Sequence, residues 1–256
     1  MVVYAFVSGK RVEVETSHKE HRKRLRKRFD QDGLKGFHNY EVVELLLTLA
    51  HAQGDCKDMG KAAIKKFGSV RGVLDASIDD LLDVPGIGPL SAFTLKLVRA
   101  VAEYYYQERM NQDTASLGNS QAVVDYLRVS MGSLSRESFS AVFLDAQNRP
   151  IAVETLFQGT LTSSAVYPRE VFKQVLEHNA ASVIFAHNHP SGCVEPSEND
   201  IQITSDLVLA ASFMDVRILD HIIVGKDTHF SFADRGLLRE CTERARSFHE
   251  TRRGTL

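Results

Sequence analysis

Cysteine is scarce: the 256 residues hold three, Cys56, Cys193 and Cys241, odd in number and far apart. That excludes a disulfide framework and fits a reducing compartment. No uninterrupted apolar run approaches the roughly 20 residues needed to cross a bilayer. The opening MVVYAFVSGKRVEVE also lacks the succession of positive charge, apolar stretch and small-residue cleavage site of a secretory leader. A soluble, cytoplasmic protein without a membrane partner is expected. Excess charge is absent too, the formal net value being -2, so charge alone neither demands nor forbids nucleic acid. The balance fails locally in HKEHRKRLRKRF, His18 to Phe29, which holds seven Lys or Arg against one Glu. Such a run is either a solvated helix face or a phosphate-binding one. Internal repeats and low-complexity tracts are lacking.

What is present is an ordinary globular mixture, 43% hydrophobic and 25% charged, long enough for two cores. From about Glu20 to Met110 apolar residues recur at helical spacing, as in Val42-Val43-Leu45-Leu46-Leu47. Residues 1–110 are therefore read as a small all-α domain, with Asn39 and Ser77 as N-caps and Gly68 closing a helix. The polar stretch NQDTASLGNS supplies a linker at 111–119. Beyond it, runs such as FSAVFLDA, IAVETLFQGT, SVIFAHNH and RILDHIIVG alternate with helical segments such as REVFKQVLEHNA. Residues 120–256 thus read as an α/β domain. The turn AQNRP implies an antiparallel pair, and the later strand-helix-strand portion a parallel crossover, giving a mixed sheet flanked by helices.

SVIFAHNHPSGCVEPSEND, Ser182 to Asp200, carries the most chemistry. His187 and His189, two apart on an extended strand, share one side of it. A carboxylate arriving from the next helix start, Asp200, completes three ligands and leaves a fourth position for water, the pattern of a catalytic zinc site. The plain alternatives are a capping box made by Ser197 and Asp200 and a surface loop with two solvated histidines. Two His, a Ser and an Asp meet at fixed spacing by chance in on the order of one such chain in a thousand, which favours the metal. Cys193 is read as a loop residue.

These residues, His187-x-His189, seven residues, Ser197, two residues and Asp200, resemble the JAMM motif of the MPN metalloprotease superfamily. AHNHPSG and LDHIIVG resemble the bacterial RadC family, as do GFHNYEVVELLL and FGSVRGVLDAS in the first half. The resemblance implies an MPN, cytidine-deaminase-like fold, zinc on the two His and the Asp, and Ser197 assisting an oxyanion. It also implies a general base from an earlier strand, for which Glu137 is favoured over Glu154. Asp220-His221, ending a later strand, is read as an ordinary hydrogen-bonded pair rather than an orienting partner of the zinc ligands. Arg169 is read as part of a helix start behind Pro168.

LLDVPGIGPLSAFTLKLV, Leu81 to Val98, resembles a helix-hairpin-helix motif. Its Pro85-Gly86-Ile87-Gly88 turn would present amides to phosphate without reading bases, and Lys96 would add a charge. The expected function is a zinc hydrolase of the peptidase type, acting on peptide or protein and joined to a nucleic-acid-binding domain associated with DNA repair. A metal-dependent nuclease and a non-catalytic DNA-binding scaffold are the alternatives. Oligomeric state is not legible.

Overall fold

The computed structural model describes residues 4–7, 10–112, 120–159 and 166–253. The chain divides into two compact units, Met1–Ala102 and Glu103–Leu256. Of the expected linker, Asn111 and Gln112 close a helix, and 113–119 lie outside the described residues. Among the described residues no helix is long and apolar enough to cross a membrane.

The first unit opens with an antiparallel pair, β1 (Tyr4–Val7) and β2 (Lys10–Glu13), which the sequence pattern did not announce. Helices follow: α1 (Val14–Asp32), α2 (Asn39–Ala50), α3 (Lys57–Phe67), α4 (Val70–Asp75), α5 (Ile78–Leu82) and α6 (Pro89–Gln112), whose residues from Glu103 on belong to the second unit. Ser77 caps α5 as expected, its hydroxyl accepting the Asp80 amide at 3.0 Å, and Gly68 closes α3 at φ +80°. Asn39 is not a cap. His38 holds that position, and its amide donates to Glu41 Oε2 at 2.9 Å. Val43, Leu47, Ala63, Val73, Leu81, Val84, Ile87 and Leu95 form the core of this unit.

The second unit contains α7 (Ser120–Met131), β3 (Ser138–Leu144), β4 (Pro150–Gln158), α8 (Pro168–Glu177) and β5 (Ser182–Asn188). It ends with α9 (Glu198–Ser212), β6 (Arg217–Val224), β7 (His229–Ser231) and α10 (Leu237–Arg253). The five strands run in the order β4-β3-β5-β6-β7. The β3–β4 hairpin is antiparallel, turning at Asn148 with φ 57°. The β5–β6 pair is parallel, with α9 as its crossover. Both were expected.

Strand alternation sorts the core into two faces. Val142, Leu144, Ile184, Ala186 and Ile222 pack under α7 with Val124 and Leu127. Phe139, Phe143, Val183 and Phe185 pack on the opposite face with Phe172 of α8 and Leu207 of α9. Emptying a position such as the fully buried Phe185 by Phe→Ala would cost about 3–5 kcal/mol. His187, two residues beyond Phe185, inherits its face and so points toward α9.

Candidate metal centre

The end of β5 and the residue after it deliver the first two candidate ligands. His187 is buried at the strand end, beside Phe139 in the β3 register. The His189 amide extends the pairing by donating to Val224 O at 2.9 Å. The chain then turns at Gly192, whose φ of +81° suits glycine and whose amide donates to His189 O. Ser197 caps α9. Its hydroxyl accepts the Asp200 amide at 3.2 Å, and Asp200 Oδ2 in turn accepts the Ser197 amide and hydroxyl, both at 2.7 Å. The capping box is therefore real, and it aims the ligand rather than competing with it.

Hydrogen bonds around the site fix the histidine tautomers. Cys193 O can only accept, so His189 Nδ1, 2.6 Å away, carries the proton. Asp200 O can only accept, so the Thr204 hydroxyl donates to it at 2.5 Å. The Thr204 oxygen is thereby left to accept from His221 Nδ1 at 2.6 Å, and His221 Nε2 then accepts from His187 Nδ1 at 2.9 Å. Both His187 and His189 consequently present bare Nε2 lone pairs. Those two atoms face each other at 3.0 Å.

Asp200 completes the set, with Oδ1 at 3.3 Å from His187 Nε2 and Oδ2 at 3.6 Å from His189 Nε2. Burial opposes its ionisation, but His187, His189 and Ser197 outweigh that and hold its pKa well below the carboxylate range. Oδ1 is buried and accepts no hydrogen bond. Two facing lone pairs and an orphaned carboxylate oxygen repel one another unless a cation stands among them, so the donor set fits a metal ion. Hydrogen bonding to Asp200 raises the pKa of His189, so proton and metal compete for the same lone pair. His221, fully buried, has its pKa driven far below the usual histidine value by desolvation and stays neutral, as the chain of donors requires.

Residues 117–237 match the model of the RadC-like JAB domain. A UPF0758 protein of Janthinobacterium sp. (strain Marseille) is 41% identical over 215 residues, covering 84% of this chain and 96% of the relative. One from Fusobacterium nucleatum is 35% identical over 230 residues, covering 88% and 99%. Another, from Leptothrix cholodnii, is 43% identical over 198 residues, covering 77% and 89%. The chain belongs to the RadC family. Its second unit is accordingly a JAB/MPN-like domain, and its first a helical region.

Within this RadC-family fold Glu137 stands at the foot of β3. It lines a small recess with Phe139, Phe157, Gly159, Val166 and His187, and its charge helps raise the pKa of His189. Glu154 sits elsewhere, mid-strand in β4 and hydrogen-bonded to His178 at 2.8 Å. Asn188, between the two histidines and buried, escaped the sequence reading. Its Oδ1 accepts the Ser138 amide at 2.8 Å and its Nδ2 donates to Leu134 O and Arg136 O, clamping the segment that carries Glu137. The reading of Asp220-His221 as a hydrogen-bonded pair holds, the His221 amide donating to Asp220 Oδ1 at 2.7 Å. The same carboxylate binds Ser231 and the Ala233 amide, and the His221 ring in addition bonds and orients His187, a role that the sequence reading set aside. Pro168 does open α8, and Arg169 is exposed beside Glu170.

The hairpin residues lie together in the first unit. Gly86 makes the turn at φ +87°. Pro85 and Gly86 are exposed, while Ile87 is buried in the core. Lys96 departs from expectation: its ammonium donates to Leu74 O at 3.1 Å and Ala76 O at 3.0 Å, so it serves the end of α4.

Proposed function

We propose that this RadC-family protein is a zinc-dependent hydrolase of the JAMM metallopeptidase type. The observation that carries the reading is the pair of bare Nε2 atoms facing each other beside the ionised Asp200. Two nitrogens and one oxygen suit zinc. Tetrahedral ligands on bonds of about 2.0–2.1 Å stand about 3.4 Å apart, and separations of 3.0, 3.3 and 3.6 Å straddle that value. When bound, zinc supplies a Lewis acid that acidifies water and polarises a substrate oxygen.

The chain's own groups do the rest. Glu137 takes the proton of the attacking water and returns it to the leaving group. Phe139, Phe157 and Val166 wall the recess against bulk water. Ser197 bonds Asp200, and its hydroxyl is the donor assigned to a developing oxyanion. Peptide or isopeptide bonds are the proposed substrates. A nuclease is disfavoured because two-metal nuclease sites gather several carboxylates, and among the described residues only Asp200 and Glu137 are present here. The first unit is proposed to touch nucleic-acid backbone through Pro85-Gly86-Ile87-Gly88, as a repair-associated cytoplasmic protein would. The support is the exposed glycine turn; Lys96 has no part in it.

Elemental analysis and a chelator-sensitive assay on mixed peptides and nucleic acids test this reading. One zinc per chain with cleaved peptide is expected. Glu137→Gln should keep the zinc and lose turnover by a factor of about 10² to 10⁴, and should trap its substrates from lysate. Full activity of Glu137→Gln sinks the assignment of the base, and metal-free protein that still binds DNA makes the fold a scaffold.

A further inference from the structure

The basic run of α1 is sorted by helical geometry. Lys19, Arg22, Lys23, Arg26 and Lys27 fall at positions i, i+3, i+4, i+7 and i+8. At 100° per residue they share an arc of about 140°. The opposite side of the helix turns inward: Leu25 is buried, His21 bonds Glu44, and Arg28 bonds Glu41 at 2.8 Å. The outward five, with Asp30 and Ala52, line a cleft of about 430 Å³. Arg22 is anchored there, its guanidinium donating to His51 O at 2.7 Å. Lys19, Lys23, Arg26 and Lys27 are exposed, and among the described residues none makes an ion pair or hydrogen bond.

Four unneutralised cations on one face repel one another, and the fold supplies the cleft with a single acid. From this we propose that the α1 face binds the phosphate backbone of a nucleic-acid duplex. The row from Lys19 to Lys27 extends about 12 Å along the helix, and one strand of a duplex offers a phosphate charge about every 3.4 Å of axis. No aromatic side chain lines the cleft, so it offers a single strand no stacking platform. A membrane surface is disfavoured because the apolar side of α1 is buried in the unit and cannot insert. The surface is separate from the hairpin and does not depend on the hydrolase reading.

The test is fluorescence anisotropy of a labelled DNA duplex of about 20 base pairs, titrated with full-length protein between about 50 and 200 mM salt. Four phosphate contacts predict a slope of about -3.6 in log affinity against log salt, or about 150-fold across that range. The variant K19Q/K23Q/R26Q/K27Q keeps good helix formers, and its melting curve should match wild type. It is expected to lose most of the salt slope and at least about tenfold in affinity at 100 mM salt. Asp200→Ala should bind the duplex like wild type while holding no metal, which separates failure here from failure of the hydrolase reading. Unchanged affinity and slope in the quadruple variant, no binding by wild type, or capture by phosphatidylserine vesicles without capture by duplex would each overturn the proposal.

Discussion

Among the described residues two clusters of three histidine and acidic side chains could offer a ligand set, and they differ in how they are built. His187, His189 and Asp200 converge in the second unit; His21, Glu44 and Asp55 converge in the first. Each contains a buried carboxylate oxygen with no hydrogen-bond donor, Asp200 Oδ1 or Glu44 Oε2. The difference lies in the protons. Burial raises the pKa of Glu44, favouring a proton on that carboxylate, and His21 reaches Glu44 Oε1 at 2.8 Å. At Asp200 the carboxyl pKa is lowered, and the neighbouring imidazole protons are locked on Nδ1 by Cys193 O and by the Thr204–His221 chain. The contrast teaches that a ligand set is marked by which nitrogen carries the proton of each neutral imidazole, more than by which residue types meet.

The largest effect that could break this contrast is on metal content. Asp200→Ala should reduce zinc from one per chain to none and abolish hydrolysis, while Glu44→Gln should leave the content at one; elemental analysis of both decides. Equal losses in the two variants would erase the distinction. Next comes His221→Ala, which frees the His187 tautomer and should weaken zinc about 10- to 100-fold in competition with a chelator. An unchanged affinity would show that the donor chain is idle.

Asn188→Ala sharpens the comparison by testing Glu137's support without touching a ligand. It leaves the Ser138 amide and two carbonyls without their partner, so denaturant unfolding should show a loss of about 1–3 kcal/mol. Zinc should remain, and turnover should fall. The smallest effect belongs to Glu41. Burial pushes its carboxyl up, but Arg28 and the His38 amide prevail and lower its pKa. A depressed carboxyl stabilises the fold above its unfolded pKa and loses that contribution as pH falls through the folded value. Glu41→Gln should therefore melt slightly below wild type at neutral pH, the gap closing as the solution is acidified through and below the ordinary carboxylate range. A gap that widened in acid would reverse the assignment.

The convergence of His187, His189 and Asp200 was legible in sequence because a strand's period of two and a helix's first turn are local, and both fall within 14 residues. The α/β pattern and the crossover were legible for the same reason. His221 was not, because its role depends on a bond between neighbouring strands 34 residues apart and on a donor order set by Thr204. Asn188 was hidden by its own position, a polar residue between two histidines whose side chain leaves the strand on the other face. Lys96 misled because helical spacing shows where a side chain begins; its long stem carries the ammonium back to carbonyls of α4.

Asp200 and Thr204 lie one turn apart on α9, so a single turn of helix supplies a candidate ligand and also the hydroxyl that, through His221, sets the tautomer of His187. Rotating or fraying that turn would remove the charge and release the imidazole in the same motion. Loading of the centre should accordingly be all-or-none, with zinc loss and fraying of α9 seen as one event in native-state hydrogen exchange and no half-dressed intermediate between them.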